Sequence, residues 1–260
     1  MDQVSVLGIP VDRQLISRWV EFYAPSRQPV DVSVLETDDR RRLPPTPALP
    51  VTPEWRDTFF LYRVRDLAWL SENDWRGLPR RVRHRLTADR AGRMRPKPTP
   101  CWPSDPLLIP RLLRWVEAGV RPSLHPLARD ALTSASHGPL PRAAELAGRF
   151  PHGSGPNCFG TVMAAAGRLV ERDWVQQDQF EQWLSGETHA DPAGSDDEAG
   201  QVLLWHEHGQ LAHAAVTLGQ GWALHKPSQS WSSPTLVWTV DEVIRAWRLP
   251  GTRLTRRRIR

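Results

Sequence analysis

The order of hydrophobic patterns along the chain constrains its fold most. From residue 107 to 184 apolar side chains recur at helical spacing, and from 202 to 240 they fall in short runs suited to strands. Leu108, Leu112, Leu113 and Val116 lie on one side of a first helix in this half. Segments 126–135 and 141–150 follow, each with proline near its start, where a helix tolerates it. A helix beginning near Cys158 comes next, then 176–184 with Phe180, Trp183 and Leu184. After an acidic loop at 186–200, the segments 202–205, 212–218, 221–226 and 235–240 read as a strand meander, with Gln220-Gly221 as a tight turn. Asp241 is expected to cap a last helix through Trp247. Helices first and antiparallel strands after make an α+β domain.

The first hundred residues read differently. A short strand and a helix capped by Asp12 are expected over 4–23, where Leu15, Ile16, Trp19, Val20 and Tyr23 recur at helical spacing. Residues 40–53 hold five prolines and a run of three arginines, so they form a loop. Segment 58–64 (Thr-Phe-Phe-Leu-Tyr-Arg-Val) reads as a strand, Ser71 as the cap of a short helix, and 79–90 as a further helix. A second proline-rich break at 95–106 marks the expected domain boundary. The expected organisation is a smaller mixed α/β accessory region over 1–104, a main domain over 105–249 and a basic tail over 250–260.

Composition narrows the functional classes. The 260 residues suffice for one large or two modest domains, and no apolar run reaches the roughly 18 residues of a membrane span. The N-terminal residues lack a basic stretch followed by an apolar one, so a cytoplasmic setting is expected. In a reducing compartment the two cysteines, Cys101 and Cys158, are expected to stay unpaired, and two cysteines without close pairing do not make a zinc finger. The net charge of +5 is mild but uneven. Nine Lys/Arg against the single acid Asp89 occupy Arg76 to Lys97, and a second cluster, Arg253, Arg256, Arg257, Arg258 and Arg260, ends the chain. Either cluster can contact a polyanion or stand as a solvated face.

The chemistry centres on Cys158, in Gly153-Ser154-Gly155-Pro156-Asn157-Cys158-Phe159-Gly160. This is a loop breaking into a helix with cysteine in the first turn. A helix N-terminus carries about half a positive charge and unpaired N–H groups, both of which favour the nucleophilic thiolate. His213 and His225 lie six residues either side of Gly219, so a turn there brings them roughly opposite each other on paired strands. His213 then serves as a base for Cys158, and His225 as the group that orients it; Gln229 and Asn157 are alternatives for that orienting role. Ser154, Asn157, Lys226, Gln229 and Trp231 are candidate cleft residues. His206 and His208 with His213 form a possible metal set, read here as a polar turn; no metal and no cofactor are expected.

Three segments together resemble the NlpC-like branch of the papain-fold cysteine peptidases: Asn157-Cys158-Phe159-Gly160, the strand start Gly200-Gln201-Val202, and His213-Ala214-Ala215-Val216-Thr217-Leu218-Gly219 followed by Ala223-Leu224-His225. The resemblance covers about residues 141–240. It implies a papain-like helix bundle packed on an antiparallel sheet, with Cys158 as nucleophile, His213 as base, His225 as orienting residue and the Cys158 N–H in an oxyanion hole. It also implies an amide hydrolase that passes through a thioester on a small peptide or cell-wall-derived amide. The chain departs from the family at Asn157, Phe159 and Gln201, where Asp, Ser and Asp are common. An acyltransferase with the same machinery, and a non-enzymatic polyanion- or partner-binding protein on such a scaffold, are the alternatives.

Overall fold

The computed structural model describes residues 4–88 and 97–260. It is a mixed α+β protein of two compact units. One comprises the first strand and Pro10–Arg121, the other Leu7–Ile9 and Pro122–Arg260.

The first unit opens on β1 (Val4–Val6) and, from Pro10 on, on β2 (Ile9–Val11), then α1 (Arg13–Tyr23), whose cap Asp12 accepts from the Leu15 N–H at 2.7 Å. Strand β3 (Arg27–Asp31) pairs antiparallel with β4 (Leu67–Ser71). Between them come α2 (Thr37–Arg40) and α3 (Pro53–Phe59), and after them α4 (Glu72–Gly77), α5 (Arg80–Thr87) and α6 (Leu108–Glu117). A small core of Val30, Val32, Leu35, Ala68, Leu70, Leu78, Val82 and Leu86 joins the two-stranded sheet to α5.

The strand expected at 58–64 does not form. Thr52 caps a helix whose first residue is Pro53, and the helix ends where Phe60 turns left-handed at φ 55°. A hydroxyl cap with proline at the first helical position outweighs the β preference of the aromatic residues that follow. The boundary between units falls after Arg121 rather than in the proline-rich stretch, because α6 packs against α1 and β1 of the first unit.

The second unit is built on a six-stranded antiparallel sheet. Its strands are β5 (Thr188–Ala190), β6 (Ala199–Glu207), β7 (Gln210–Gly219), β8 (Trp222–His225), β9 (Leu236–Thr239) and β10 (Thr252–Ile259), in the order β5-β10-β6-β7-β8-β9. Gln220 and Gly221, at φ 54° and 75°, make the β7–β8 turn, the left-handed pair that a two-residue hairpin needs. Helices α7 (Arg129–Ser136), α8 (Ala143–Leu146), α9 (Cys158–Ala165) and α10 (Gln177–Glu187) precede most of these strands, and α11 (Val240–Ala246) lies between β9 and β10. Thr239, not Asp241, caps α11, forming a capping box with Glu242.

Alternation of side chains along the strands gives the sheet two buried faces. Val202, Leu204, Ala214, Val216, Leu218, Leu224 and Val237 pack with Phe159, Val162, Ala165 and Phe180 of α9 and α10. The intervening residues Leu203, Trp205, His213, Ala215, Ala223, His225, Leu236 and Trp238 are buried on the other side.

The expected basic tail is instead an inner strand. Residues of β10 pair with β6 on one side and β5 on the other. Arg256 forks onto Asp196 at 3.1 to 3.2 Å, Arg257 donates to Thr188 Oγ1 at 2.6 Å, and Arg258 pairs with Glu198. Local charge hides the strand in the sequence, and the acidic loop supplies the neutralising partners.

Candidate functional site

Cys158 is the first residue of α9, and Asn157 caps the helix. The Asn157 Oδ1 accepts from the Gly160 N–H at 2.9 Å, and its amide donates to the Val175 carbonyl at 2.7 Å. Asn157 is therefore committed to holding the helix start. Gly160 allows the close approach of the 170–175 turn, since a Cβ there would meet Val175 Cγ2 at 3.2 Å and the Val170 carbonyl at 3.3 Å.

The half-buried thiol is pushed up to about 11 by burial. Neighbouring backbone N–H groups and the Lys226 ammonium pull the other way, toward the ionised form, but burial outweighs them. Cys158 packs on the α9 side of the sheet, as Ala214 does, whereas strand alternation turns the adjacent His213 to the opposite face, so the expected base stands on the side away from the sulfur.

His213 and His225 do come together, at a ring-centroid distance of 6.0 Å and edge-to-face. The register explains this, since Ala215 pairs with His225 and Trp205 with His213. His213 stacks on Trp247 at 3.6 Å and lies 5.4 Å from Trp205, while His225 lies 4.5 Å from Trp238. Both rings are 1% exposed, and burial holds both neutral: His225 falls to about 3 and His213 well below its ordinary value. Nε2 of His213 and both nitrogens of His225 are enclosed without a hydrogen-bond partner, which leaves Nδ1 of His213 as the one imidazole nitrogen of the pair not in that state. No hydrogen bond links either ring to the sulfur or to the other ring.

The remaining candidates gather in the loop after β8. Lys226 is 2% exposed and donates to the carbonyls of Ser230 (3.5 Å) and Ser233. The loop is tied to the approach to α9, because the Trp231 N–H donates to Ser154 Oγ at 3.1 Å and the Gly155 N–H to the Gln229 carbonyl at 2.9 Å. Trp231 is wholly buried and packs the loop from within. Lys226 and Ser154 line a cavity of about 510 Å³, together with Pro156 and Thr161, which flank Cys158 in sequence. Gln229 is not among its lining residues.

Elsewhere, His206 contacts Thr255 Oγ1 at 3.1 Å, and His208 occupies the left-handed β6–β7 turn at φ 49°. In the basic segment, Arg76 pairs with Glu72 at 2.5 Å, Arg81 with Asp39 at 3.0 Å, and Arg85 with both Asp39 and Glu36. Arg90, Arg93 and Arg95 lie outside the described residues. Among the described residues no helix is long and apolar enough to cross a membrane.

Sequence reasoning missed Trp247, Trp205 and Trp238, which enclose the two imidazoles. Trp205 was within reach, because the hairpin register that places His213 on one face also places Trp205 beside it. Trp247 follows α11 and carries no such signal. Comparison with family models, curated proteins and solved structures finds no match.

Proposed function

We propose that the second unit is a cysteine-dependent amide hydrolase of papain-like, NlpC-type architecture, acting on a small peptide or related amide. One observation carries the reading: Cys158 is the first residue of a helix capped by Asn157 and packed on β7. The segment resemblance at Cys158, His213 and His225 supports it.

In this reading the thiol and the imidazole are both neutral at rest. Burial raises the one and lowers the other, so the proton moves as the sulfur attacks rather than before. The sulfur bonds to the carbonyl carbon while the thiol proton passes to a base, a role that His213 takes only by leaving the Trp247-lined face of the sheet. The Cys158 N–H steadies the oxyanion. Collapse expels the amine, which leaves with the proton taken from the thiol, and water then hydrolyses the thioester. An amine in place of that water turns the same intermediate into acyl transfer.

The test is iodoacetamide labelling across pH 5–10, joined to a screen of peptide and acyl-amide hydrolysis. The expected labelling of Cys158 rises with pH through neutrality and shows no acidic plateau. The expected hydrolysis drops by at least about a thousandfold in Cys158→Ala. Full turnover in Cys158→Ala would overturn the assignment.

A second reading, a binding protein on this scaffold with an inert thiol, is favoured by the absence of a hydrogen bond between the sulfur and His213. It predicts no turnover in the screen, with Cys158→Ala indistinguishable from the parent chain.

A further inference from the structure

The cavity lined by Ser154, Pro156 and Thr161 has an uneven charge that the hydrolase reading does not use. Its wall carries two acids, Glu145 and Glu171, and two arginines, Arg149 and Arg172. Both acids are held by a third arginine, Arg142, at 3.0 and 2.9 Å. Arg149 and Arg172 are left without an ion pair among the described residues, and both are exposed at the cavity wall. The buried Lys226 ammonium adds a third positive charge. The volume of about 510 Å³ suits a small molecule.

We propose that this cavity is an anion subsite that takes a small organic oxyanion, carboxylate or phosphate. Arg149 and Arg172 are the clamp, and Lys226 supplies the positive floor. A guanidinium offers a planar fork that matches both oxyanions with two parallel hydrogen bonds, which is stronger recognition than a point charge gives. Pro156 and Thr161 line the same cavity, two residues before and three after Cys158. The cavity thus reaches the loop and the helix that carry Cys158, although Cys158 itself is not among its lining residues. On the hydrolase reading, the substrate is therefore an acyl compound with a negative group remote from the scissile bond. The subsite itself stands without that reading.

The experiment is titration calorimetry of the full chain with inorganic phosphate and with succinate, at constant ionic strength. Binding of one anion per chain is expected, weakened at least about tenfold in R149Q/R172Q, since each lost charge-assisted hydrogen bond is worth about a factor of ten. Both side chains are exposed, so the variant is expected to fold, and circular dichroism checks this. The single variants R149Q and R172Q, each weaker than wild type, guard against a folding artefact in the pair. Binding of phosphate alone assigns a phosphoryl ligand, and binding of succinate alone a carboxylate. No binding of either anion, or binding unchanged in R149Q/R172Q, overturns the subsite.

A second arm measures iodoacetamide labelling of Cys158 with the anion bound. Slowed labelling is expected, and unchanged labelling refutes the link between cavity and sulfur. Intact anion binding with an inert Cys158 refutes the hydrolase reading and leaves the subsite standing.

Discussion

The two faces of the six-stranded sheet achieve burial by different chemistry. Toward α9 and α10 the contacts are hydrocarbon and aromatic, with Phe159 stacked on Phe180 at 4.6 Å and Phe180 on Trp183 at 5.5 Å. On the reverse face two imidazoles stand among tryptophans, three of their nitrogens without partners. An enclosed polar atom without a hydrogen bond costs about 1 to 3 kcal/mol. The first face is built for stability, and the second tolerates a penalty that stability alone would not select.

The largest test of this contrast is Phe180→Ala. Phe180 is wholly buried in the apolar face, and its loss is expected to lower stability by about 3 to 5 kcal/mol in urea unfolding. A cost below about 1 kcal/mol would deny that face its structural role.

The second test is pH. Both imidazoles are neutral in the folded chain and titrate near 6.5 once it unfolds. Above about pH 6.5 neither state takes up protons, so stability is level there. As pH falls from 6.5 toward 3 the unfolded chain binds protons that the folded chain refuses, and stability drops by up to about 1.4 kcal/mol per pH unit for each imidazole. In the window from 6.5 to 4.5 the depressed carboxyls of Glu145, Glu171, Asp74 and Asp105 do not act, and His125, also lowered by burial, adds a smaller share of the same sign, so the comparison with His225→Phe is what separates the pair. His225→Phe is expected to remove about half the slope, to leave stability at pH 7 unchanged or slightly higher, and to reduce any Cys158-dependent turnover. An unaltered slope would mean that His225 is not the buried neutral base described.

The smallest effect is expected at the margin of the sheet. Arg256→Ala removes a two-pronged contact with Asp196 at a partly exposed site, at a cost of about 1 kcal/mol or less. A much larger loss would show that β10 is held by its charges rather than by its backbone ladder.

Much of the second unit was readable because its signals are local. The loop Gly153 to Asn157 announces a helix start, and Gln220-Gly221 announces a hairpin whose arms carry His213 and His225. What escaped depends on partners distant in sequence. Strand β10 looks like a basic tail until Asp196, Thr188 and Glu198 are placed beside it. Strands β3 and β4 are short, and Pro29 sits within the first of them, so neither shows clear alternation. The Pro-rich stretch before α6 has the composition of a linker, yet α6 belongs with α1, and only packing reveals it. At the site, the sequence identified the nucleophile and base candidates by type and spacing. It carried no sign that Trp247 would cover the ring of His213.

The place of β10 also governs how the second unit is completed. Thr252–Ile259 follows the other five strands of the sheet in sequence, yet it occupies an inner position between β5 and β6. Until it arrives, β6 presents an open row of amides and carbonyls, and β5 has no neighbour at all. A chain cut before Thr252 would therefore lose its outermost strand along with its final one. It would be left with a raw border able to recruit a strand from another copy.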